Sequence, residues 1–327
     1  MEERSEEKKM KKILGVDIGG TTVKMGLFSL DGTKRKEGVF RSSREVSPED
    51  FLKGLAKEAR RLVDSDGDLE DLKGIGIGIP GPVEGQRVVT NVVNLGWGRV
   101  PVVDILENYF TCPIVLDNDA NVAAMGELWQ GAGSHVRSLI LVTLGTGIGG
   151  GVIIDGKLVQ GAHGAGGEVG HIPFLDYDLE KECGCGGHRC LELVASASGI
   201  IRRTKEGLEE GKIPSRLGRV KDLNAKHIVD AAKAGDPLAQ HIVEETGEYL
   251  GRGLAIISAV LDPEEIVIGG GVSEAGDIFL DPVRARYRHY AFKGLKETPI
   301  VKASLGNQAG MIGAARLVLD LAWEAEI

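Results

Sequence analysis

The chain has 327 residues, enough for two domains with a core each, and its 42% hydrophobic and 27% charged residues are typical of a globular protein. A formal net charge of −9 argues against nucleic acid as the main partner. No apolar run is long enough to span a membrane. The charged N-terminal stretch MEERSEEKKMKK has no apolar signal core, which predicts a frayed N-terminus and a cytoplasmic protein.

Strands and glycine turns alternate through the first half of the chain before the first helix. The predicted elements are, in order, a strand at Ile13–Val16, the turn DIGGTT, a strand at Val23–Phe28, an Asp31-Gly32 hairpin into a third strand, a helix from Pro48 with Ser47 as its N-cap, and a strand at Ile75–Ile79. This half ends in a polar stretch that leads into a helix over Val122–Gln130.

The second half of the chain repeats this order of elements. Its predicted elements are a strand at Ser138–Thr143, the turn LGTG, a strand at Ile148–Ile154, an Asp155-Gly156 hairpin, a helix at Pro237–Val260 behind the N-cap Asp236, and a strand at Ile266–Ile268. Laying Thr143 on Asp17 aligns Gly145 with Gly19. A repeat of this length indicates a duplicated α/β domain, and the cleft between two such halves is the natural ligand site.

The two glycine turns, DIGGTT and LGTGIGGG, occupy corresponding places in the halves. Glycine lets backbone N–H groups approach phosphate oxygens, and threonine and lysine side chains add donors. Neither turn is a Walker A loop or a Rossmann turn, and either alone could be a plain turn. Their pairing favours phosphate binding, and Asp17 suits a magnesium ion reached through water. The predicted phosphate-binding residues are Gly19, Gly20, Thr21, Thr22, Lys24, Gly145, Thr146, Gly147 and Gly270.

A polar cluster follows the apolar strand at 113–116 and contains Asp117, Asn118, Asp119 and Asn121. Asp117 or Asn118 could simply cap the helix that follows. Because one cap explains only one of the four residues, the cluster favours a site. A carboxylate there could accept the proton of a hydroxyl group that attacks a phosphoryl group, while an asparagine bonds neighbouring hydroxyls.

Three of the four cysteines lie in the segment CGCGGHRCLE, with one histidine inside it and another shortly upstream. Three thiols and an imidazole are the ligand set of a closed, structural zinc site, although a disulfide or reduced surface thiols are the alternatives. Cys183, Cys185 and Cys190 are the predicted thiolate ligands, and spacing alone leaves His171 and His188 both open as the fourth. Flanking carboxylates, Glu168 and Glu192, could be held towards a bound molecule or could be solvated surface acids.

Together, DIGGTTVK, LDNDAN, LGTGIGGG, Glu168-x-Gly-His171 and CGCGGHRCLE resemble the ROK family of sugar kinases, and most closely its bacterial glucokinases. The resemblance covers the chain from about Ile13 onwards. It implies an α/β, two-domain, actin-like ATPase fold of the hexokinase and ribonuclease H type, with a duplicated βββαβα core. The expected domains are a small one at 1–117 and a larger one at 118–306 that carries the zinc loop. A C-terminal helix over about 307–327 is expected to pack back on the first.

The resemblance also implies residue roles. Asp119 would be the general base, and the sugar would be bound by Gly81, Asn94, Asn118, Asp119, Glu168, His171 and Glu192. His171 joins the three cysteines as a zinc ligand, which favours it over His188. Arg189 stands where the family pattern Cys-x-Cys-Gly-x-x-Gly-Cys-x-Glu has glycine, so the resemblance leaves the local turn geometry open.

These implications predict a glucokinase that uses ATP, Mg²⁺ and structural Zn²⁺ to phosphorylate the 6-hydroxyl of glucose, with domain closure excluding water. Alternatives are the same chemistry on mannose, fructose or an N-acetylhexosamine. A non-catalytic ROK repressor is disfavoured because too few residues for a winged helix-turn-helix precede the first strand. A zinc-stapled binding protein is disfavoured by Asp119 and both glycine turns. The family favours a homodimer or homotetramer, and we expect no nucleic-acid or membrane partner.

Overall fold

A computed structural model describes residues 11–43 and 45–324 of the chain. Most of the N-terminal stretch predicted to be frayed, and the last three residues of the predicted C-terminal helix, lie outside the described residues. The chain divides into two compact units. The first contains the chain up to Ser134, the segment Leu158–Gly166 and the chain from Asn307 onwards, and the second contains His135–Lys157 and Gly167–Gly306.

Strands and helices alternate along the chain as the sequence predicts. The strands are β1 Lys12–Ile18, β2 Thr22–Ser29, β3 Lys34–Arg41, β4 Leu72–Ile79, β5 Val83–Glu84, β6 Val88–Val89, β7 Ile114–Asn118, β8 Leu139–Leu144, β9 Ile148–Ile154, β10 Lys157–Leu158, β11 Glu265–Gly269 and β12 Ile300–Lys302. The α-helices are α1 Pro48–Asp64, α2 Val102–Leu106, α3 Asp119–Gln130, α4 Glu192–Ala195, α5 Ala197–Glu210, α6 Ala225–Lys233, α7 Pro237–Leu261, α8 Asp277–Tyr290 and α9 Ala309–Glu324. No helix in the described part of the chain is both long and apolar enough to cross a membrane.

The two units contain sheets with the same topology. The first sheet has the order β3-β2-β1-β4-β7 and the second the order β10-β9-β8-β11-β12. In each sheet the first strand of the repeat pairs antiparallel with the next strand and parallel with the strand that follows the crossover helix. The duplication predicted from the sequence is therefore confirmed at the level of strand order. Each unit also has its own buried apolar core.

Alternating glycines on β4 shape the packing of the first unit. Gly74, Gly76 and Gly78 are two residues apart, so they share one face of the sheet. A Cβ on Gly76 would lie 1.7 Å from the carbonyl oxygen of Ala314 in α9, and one on Gly78 would lie 2.5 Å from Val122 in α3. Because Gly76 and Gly78 have no side chain, α9 and α3 can pack directly on the sheet.

The same close packing explains where the first unit ends. Small residues join α3 to α9, since a Cβ on Gly313 would lie 1.6 Å from the carbonyl oxygen of Val122. The structure consequently groups α3 and α9 with the first sheet, and the unit continues to Ser134. A domain boundary after Asp117, as expected from the sequence, would assign α3 to the other domain. The C-terminal helix α9, which was expected to pack back on the first domain, is grouped with the first unit.

Candidate active site and metal centre

The first glycine turn connects β1 and β2 at the edge of the first unit. Gly19 N–H donates to the carbonyl oxygen of Thr22 (2.9 Å), which closes the turn. Ser42 braces it twice, because its hydroxyl donates to the carbonyl oxygen of Gly19 (2.7 Å) and its N–H donates to that of Thr21 (3.1 Å). The turn is therefore held in shape by hydrogen bonds from backbone N–H groups and from one hydroxyl group.

Asp17 lies at the start of this turn, against the first residues of α9. A Cβ on Gly310 would lie 2.7 Å from Cγ of Asp17, so only glycine at this position leaves room for the carboxylate. Burial raises the pKa of Asp17 to about 6, with Lys24 opposing the shift and Asp119 adding to it. Lys24 Nζ donates to the carbonyl oxygen of Asn307 (2.9 Å), which fixes its ammonium group at the same helix terminus.

The candidate sugar residues of the first unit lie beside this turn and at the end of β7. A Cβ on Gly20 would lie 3.2 Å from the Cβ of Asn94, so Asn94 borders the glycine turn. Asn118 Nδ2 donates to the carbonyl oxygen of Gly81 (3.1 Å), and Gly81 adopts a left-handed φ of 109°. Asn118 Oδ1 also accepts from Ala120 N–H (2.9 Å), so this residue caps α3 as well as contacting Gly81.

The two aspartates of this cluster have different surroundings. Asp119, the first residue of α3, accepts from Ala120 N–H through Oδ1 (2.9 Å). Asp117 is only 3% exposed, and both its oxygens are occupied. Its Oδ1 accepts from Asn118 N–H (2.7 Å) and Asn121 Nδ2 (2.8 Å), and its Oδ2 accepts from Gln160 Nε2. Asp117 is therefore a buried structural acceptor, which favours Asp119 over Asp117 as the base.

The second glycine turn lies in the second unit between β8 and β9. Gly145 N–H donates to the carbonyl oxygen of Gly147 (3.0 Å), and Ala197 N–H, at the start of α5, donates to that of Gly145 (2.9 Å). Gly270 adopts a φ of 82°, and a Cβ there would lie 2.4 Å from the carbonyl oxygen of Leu144. Gly270 thus packs on β8, the strand that precedes the turn. Thr146, in the middle of the turn, is exposed.

His171, Cys183, Cys185 and Cys190 form a cluster whose ligand atoms all lie within 4.8 Å of one another. His171 Nδ1 is 3.3 Å from Cys183 Sγ, and the sulfurs of Cys185 and Cys190 are 3.4 Å apart. A tetrahedral zinc ion with Zn–S bonds of about 2.3 Å separates its ligands by roughly 3.5–3.8 Å, so this donor set fits zinc. None of the four cysteines forms a disulfide.

Thiol chemistry and local backbone support the same fit. Burial raises the pKa of Cys183 and of Cys190, so both are thiols in the metal-free site and would release their protons on binding zinc. A Cβ on Gly187 would lie 3.0 Å from Cys190 Sγ, and Gly186 has a left-handed φ of 85°. Glycine at these positions lets the loop close around the sulfurs.

The structure separates the two candidate histidines. His188 Nδ1–H donates a hydrogen bond to the carbonyl oxygen of Leu179 (2.8 Å). This ring therefore stabilises the loop and is not one of the clustered ligands. Arg189, which replaces the glycine of the family pattern, has an ordinary negative φ, and its Nε donates to Asp178 (2.6 Å). The turn therefore accepts a side chain at Arg189 without strain and without displacing the cysteines.

Glu168 and Glu192 flank the metal cluster. Glu168 Oε2 lies 3.6 Å from His171 Nε2, on the side of the ring opposite to Cys183. Glu192 Oε1 accepts from Cys183 Sγ (2.9 Å), and Glu192 Oε2 accepts from Ile148 N–H (3.2 Å). A Cβ on Gly147 would lie 2.4 Å from Glu192 Oε2. Glu192 therefore connects the metal cluster to the second glycine turn.

The candidate residues thus form two groups, one within each unit. The first unit brings together Asp17, Gly19, Gly20, Thr21, Thr22, Lys24, Gly81, Asn94, Asn118 and Asp119. The second brings together Gly145, Thr146, Gly147, Glu168, His171, Cys183, Cys185, Cys190, Glu192 and Gly270. Sequence reasoning missed Ser42, Gln160 and Gly310. Only Gly310 carried a signal, because Gly310 and Gly313 place small residues on one face of α9.

Comparison with known proteins agrees with this arrangement. A glucokinase from Halalkalibacterium halodurans is 39% identical over 312 residues, which cover 93% of this chain and 94% of the relative. The crystal structure of a ROK hexokinase from Thermus thermophilus matches with a TM-score of 0.84 at 32% identity, covering 96% of this chain and 99% of that one. A ROK family glucokinase from Streptomyces griseus, in complex with glucose and AMPPNP, matches with a TM-score of 0.75 at 34% identity, covering 94% and 98%.

These similarities confirm the predicted actin-like fold, since they extend over almost the whole length of each protein. The family profile described as ROK family matches residues 13–321. The resemblance inferred from the motifs is therefore confirmed, and the chain belongs to the ROK family.

Proposed function

We propose that this chain is a glucokinase that transfers the γ-phosphoryl group of ATP to the 6-hydroxyl of glucose. The observation that carries the proposal is the Asn118–Asp119 pair, held at the end of β7 in a chain that matches glucokinases along nearly their full length. A positioned carboxylate, a hydroxyl-binding amide and phosphate-binding turns are the parts that phosphoryl transfer to a sugar needs.

Asp119 is the general base in this proposal. It accepts the proton of the 6-hydroxyl as that oxygen attacks the phosphorus atom, and the bond to the leaving ADP oxygen breaks. Its carboxylate is oriented by Ala120 N–H at the start of α3, where the helix dipole favours negative charge. Asn118 and Gly81, joined by their hydrogen bond, together with Asn94 bind sugar hydroxyls from the first unit. Glu168, His171 and Glu192 do so from the second.

The glycine turns bind the triphosphate of ATP. Gly19 and Gly145 use their own N–H groups to close the two turns. The N–H groups of Gly20–Thr22 and of Thr146 and Gly147, with Gly270 nearby on the second unit, suit phosphate oxygens. Asp17 is the carboxylate suited to Mg²⁺ through water, and the ion would neutralise charge on the phosphates. Lys24, fixed at the N-terminus of α9, contributes positive charge at that turn.

Zinc is the proposed structural metal, with His171, Cys183, Cys185 and Cys190 as its ligands. Four protein ligands leave no coordination position for water, so the ion would fix the loop and take no part in the reaction. Its ligand His171 faces Glu168 through Nε2, and Cys183 contacts Glu192. Zinc would thereby order the Glu168 carboxylate through the Nε2–H of His171. Glu192 would lose the proton donated by Cys183 but keep its bond from Ile148 N–H.

A panel of hexoses assayed with Mg-ATP tests the assignment. We expect the highest kcat/KM with glucose and lower values with mannose, fructose and N-acetylhexosamines. A higher kcat/KM with one of those sugars would support the assignment as a sugar kinase and would contradict the assignment as a glucokinase. Absence of turnover with every hexose, in protein that still binds sugar, would favour a non-catalytic regulator. We further propose a cytoplasmic homodimer or homotetramer without a nucleic-acid partner, which light scattering and DNA titration would test.

A further inference from the structure

Asp117 is a buried carboxylate that the proposed reaction does not use. It receives hydrogen bonds from three segments of the first unit: the end of β7 through Asn118 N–H, the first turn of α3 through Asn121 Nδ2, and a distant segment through Gln160 Nε2. A buried carboxylate that accepts several bonds fixes the groups that donate to it. Asp117 therefore ties the end of β7 to the first turn of α3.

Gln160 belongs to the segment Leu158–Gly166, here called the strap. The strap is part of the first unit, although the chain on both sides of it belongs to the second. Gly164 has a left-handed φ of 68°, and a Cβ there would lie 2.4 Å from the carbonyl oxygen of Val83. This contact with β5 anchors the strap near its end, and the bond from Gln160 to Asp117 anchors it near its start.

We infer that Gln160 and Asp117 are a positioning pair that sets the orientation of Asn118 and Asp119. Asn118 and Asp119 are the two residues that follow Asp117, and both their side chains accept from Ala120 N–H. Asp117 Oδ1 accepts from the backbone N–H of Asn118 (2.7 Å), so a rotation of the Asp117 carboxylate would release the backbone that carries both groups. The inference rests on the proposed function, because it assigns the base to Asp119.

A cavity of about 470 Å³ lies beside this pair and is lined by Asp117, Gln160, His163 and Gln86, among others. Water in this polar cavity can replace a missing donor to Asp117, since it has room and several partners there. Water satisfies the hydrogen bond but does not hold the carboxylate in one orientation. Loss of the Gln160 amide should therefore lower kcat clearly while leaving the melting temperature nearly unchanged.

Gln160→Met removes the amide donor and keeps the length of the side chain. Gln130→Met is the matched control, because Gln130 Nε2 likewise donates within the first unit, to the carbonyl oxygen of Gly32 (2.7 Å). Since a misplacement of about 1 Å can cost roughly 10²-fold, we expect Gln160→Met to lower kcat by about tenfold, with glucose affinity by fluorescence titration within about threefold. Gln130→Met should keep the wild-type kcat.

A charge exchange tests whether the two side chains act on each other directly. Gln160→Glu places a second carboxylate against Asp117 and should lower kcat further than Gln160→Met. Adding Asp117→Asn restores an amide–carboxylate pair with the roles exchanged, and should recover kcat to within about tenfold of wild type. Failure of the double variant to improve on Gln160→Glu would overturn the inference.

Amide hydrogen exchange at residues 117–121 supplies a readout that needs no activity. We expect faster exchange in Gln160→Met than in Gln130→Met, at equal melting temperature. Equal exchange and equal kcat in the two variants would show that Gln160 does not position the cluster. Inactivity of the wild-type chain would instead contradict the proposed function, and the exchange comparison would still decide whether Gln160 orders residues 117–121.

Discussion

Replacing Asp119 by Asn tests the assigned base with little disturbance of the fold. Asp119 is the first residue of α3, and its Oδ1 accepts from Ala120 N–H (2.9 Å). An asparagine side chain has the same shape and keeps an acceptor oxygen, so this bond can persist. The helix also retains its N-cap, because Asn118 accepts from the same N–H group.

The expected effects on stability and on turnover differ greatly in size. Losing a negative charge at a helix N-terminus costs about 0.3–1 kcal/mol, which lowers the melting temperature of a domain of this size by roughly 1–4 °C. Losing a positioned base costs about 10²–10⁴-fold in kcat, or about 3–5 kcal/mol of transition-state stabilisation. The structure therefore predicts a folded protein that binds glucose and turns over very slowly.

The assay measures glucose 6-phosphate formation at saturating Mg-ATP, with glucose binding and thermal melting measured on the same preparation. Asp117→Asn is the comparison variant. It keeps the oxygen that accepts from Asn118 and Asn121, and the Gln160 amide can rotate to accept from the new amide group. We expect a loss of about tenfold or less for Asp117→Asn. Near-wild-type turnover in Asp119→Asn, with Asp117→Asn inactive, would move the base two residues upstream and refute the reasoning.

Three further predictions concern the proposed zinc site, the sugar contact of Glu192 and the pKa of Asp17. Chelation or Cys185→Ser should weaken glucose binding and lower the melting temperature together, and metal analysis that finds no stoichiometric zinc would contradict the metal assignment. Glu192→Gln should lose selectivity for glucose over mannose and 2-deoxyglucose as well as rate, because an acceptor-only group becomes part donor; unchanged kcat/KM ratios would contradict the sugar contact. Burial raises the pKa of Asp17 to about 6, so between about pH 4 and 6 the folded chain keeps a proton that the unfolded chain has lost. The contribution of Asp17 to the free energy of unfolding therefore falls as the pH rises, and Asp17→Asn should gain stability relative to wild type from pH 4 to 7. A difference in melting temperature that stays constant with pH would contradict the shift.

Local chemistry explains why much of the fold could be predicted from the sequence. Ser47 accepts from Asp50 N–H (3.1 Å) and Asp236 accepts from Ala239 N–H (3.0 Å), so both helices begin where their caps predict. Asp155 and Gly156 both adopt positive φ values, as a two-residue hairpin turn requires. These features depend on residues within a few positions of one another, and a single sequence displays them.

Contacts between distant parts of the chain could not be predicted in this way. Gly310 makes room for Asp17 from the opposite end of the sequence, and Gln160 reaches Asp117 across 43 residues. The choice between His171 and His188 was also undecided by spacing. It depends on the carbonyl oxygen of Leu179, which bonds to His188. Each of these contacts joins residues that the hydrophobic periodicity of the sequence does not relate, so the sequence pattern could not predict them.

Glu192 indicates how the proposed zinc, which has no open coordination position, would affect catalysis. One of its oxygens contacts the cysteine cluster, and the other accepts from the backbone N–H that follows the second glycine turn. A Cβ on Gly147 would lie 2.4 Å from the same carboxylate, so a side chain there would require Glu192 to shift. A change in the metal loop therefore acts on the turn proposed to bind phosphate through a single side chain within one unit. Glu192 is therefore the side chain through which Cys183 and the second glycine turn are joined, and Glu192→Gln would alter both contacts.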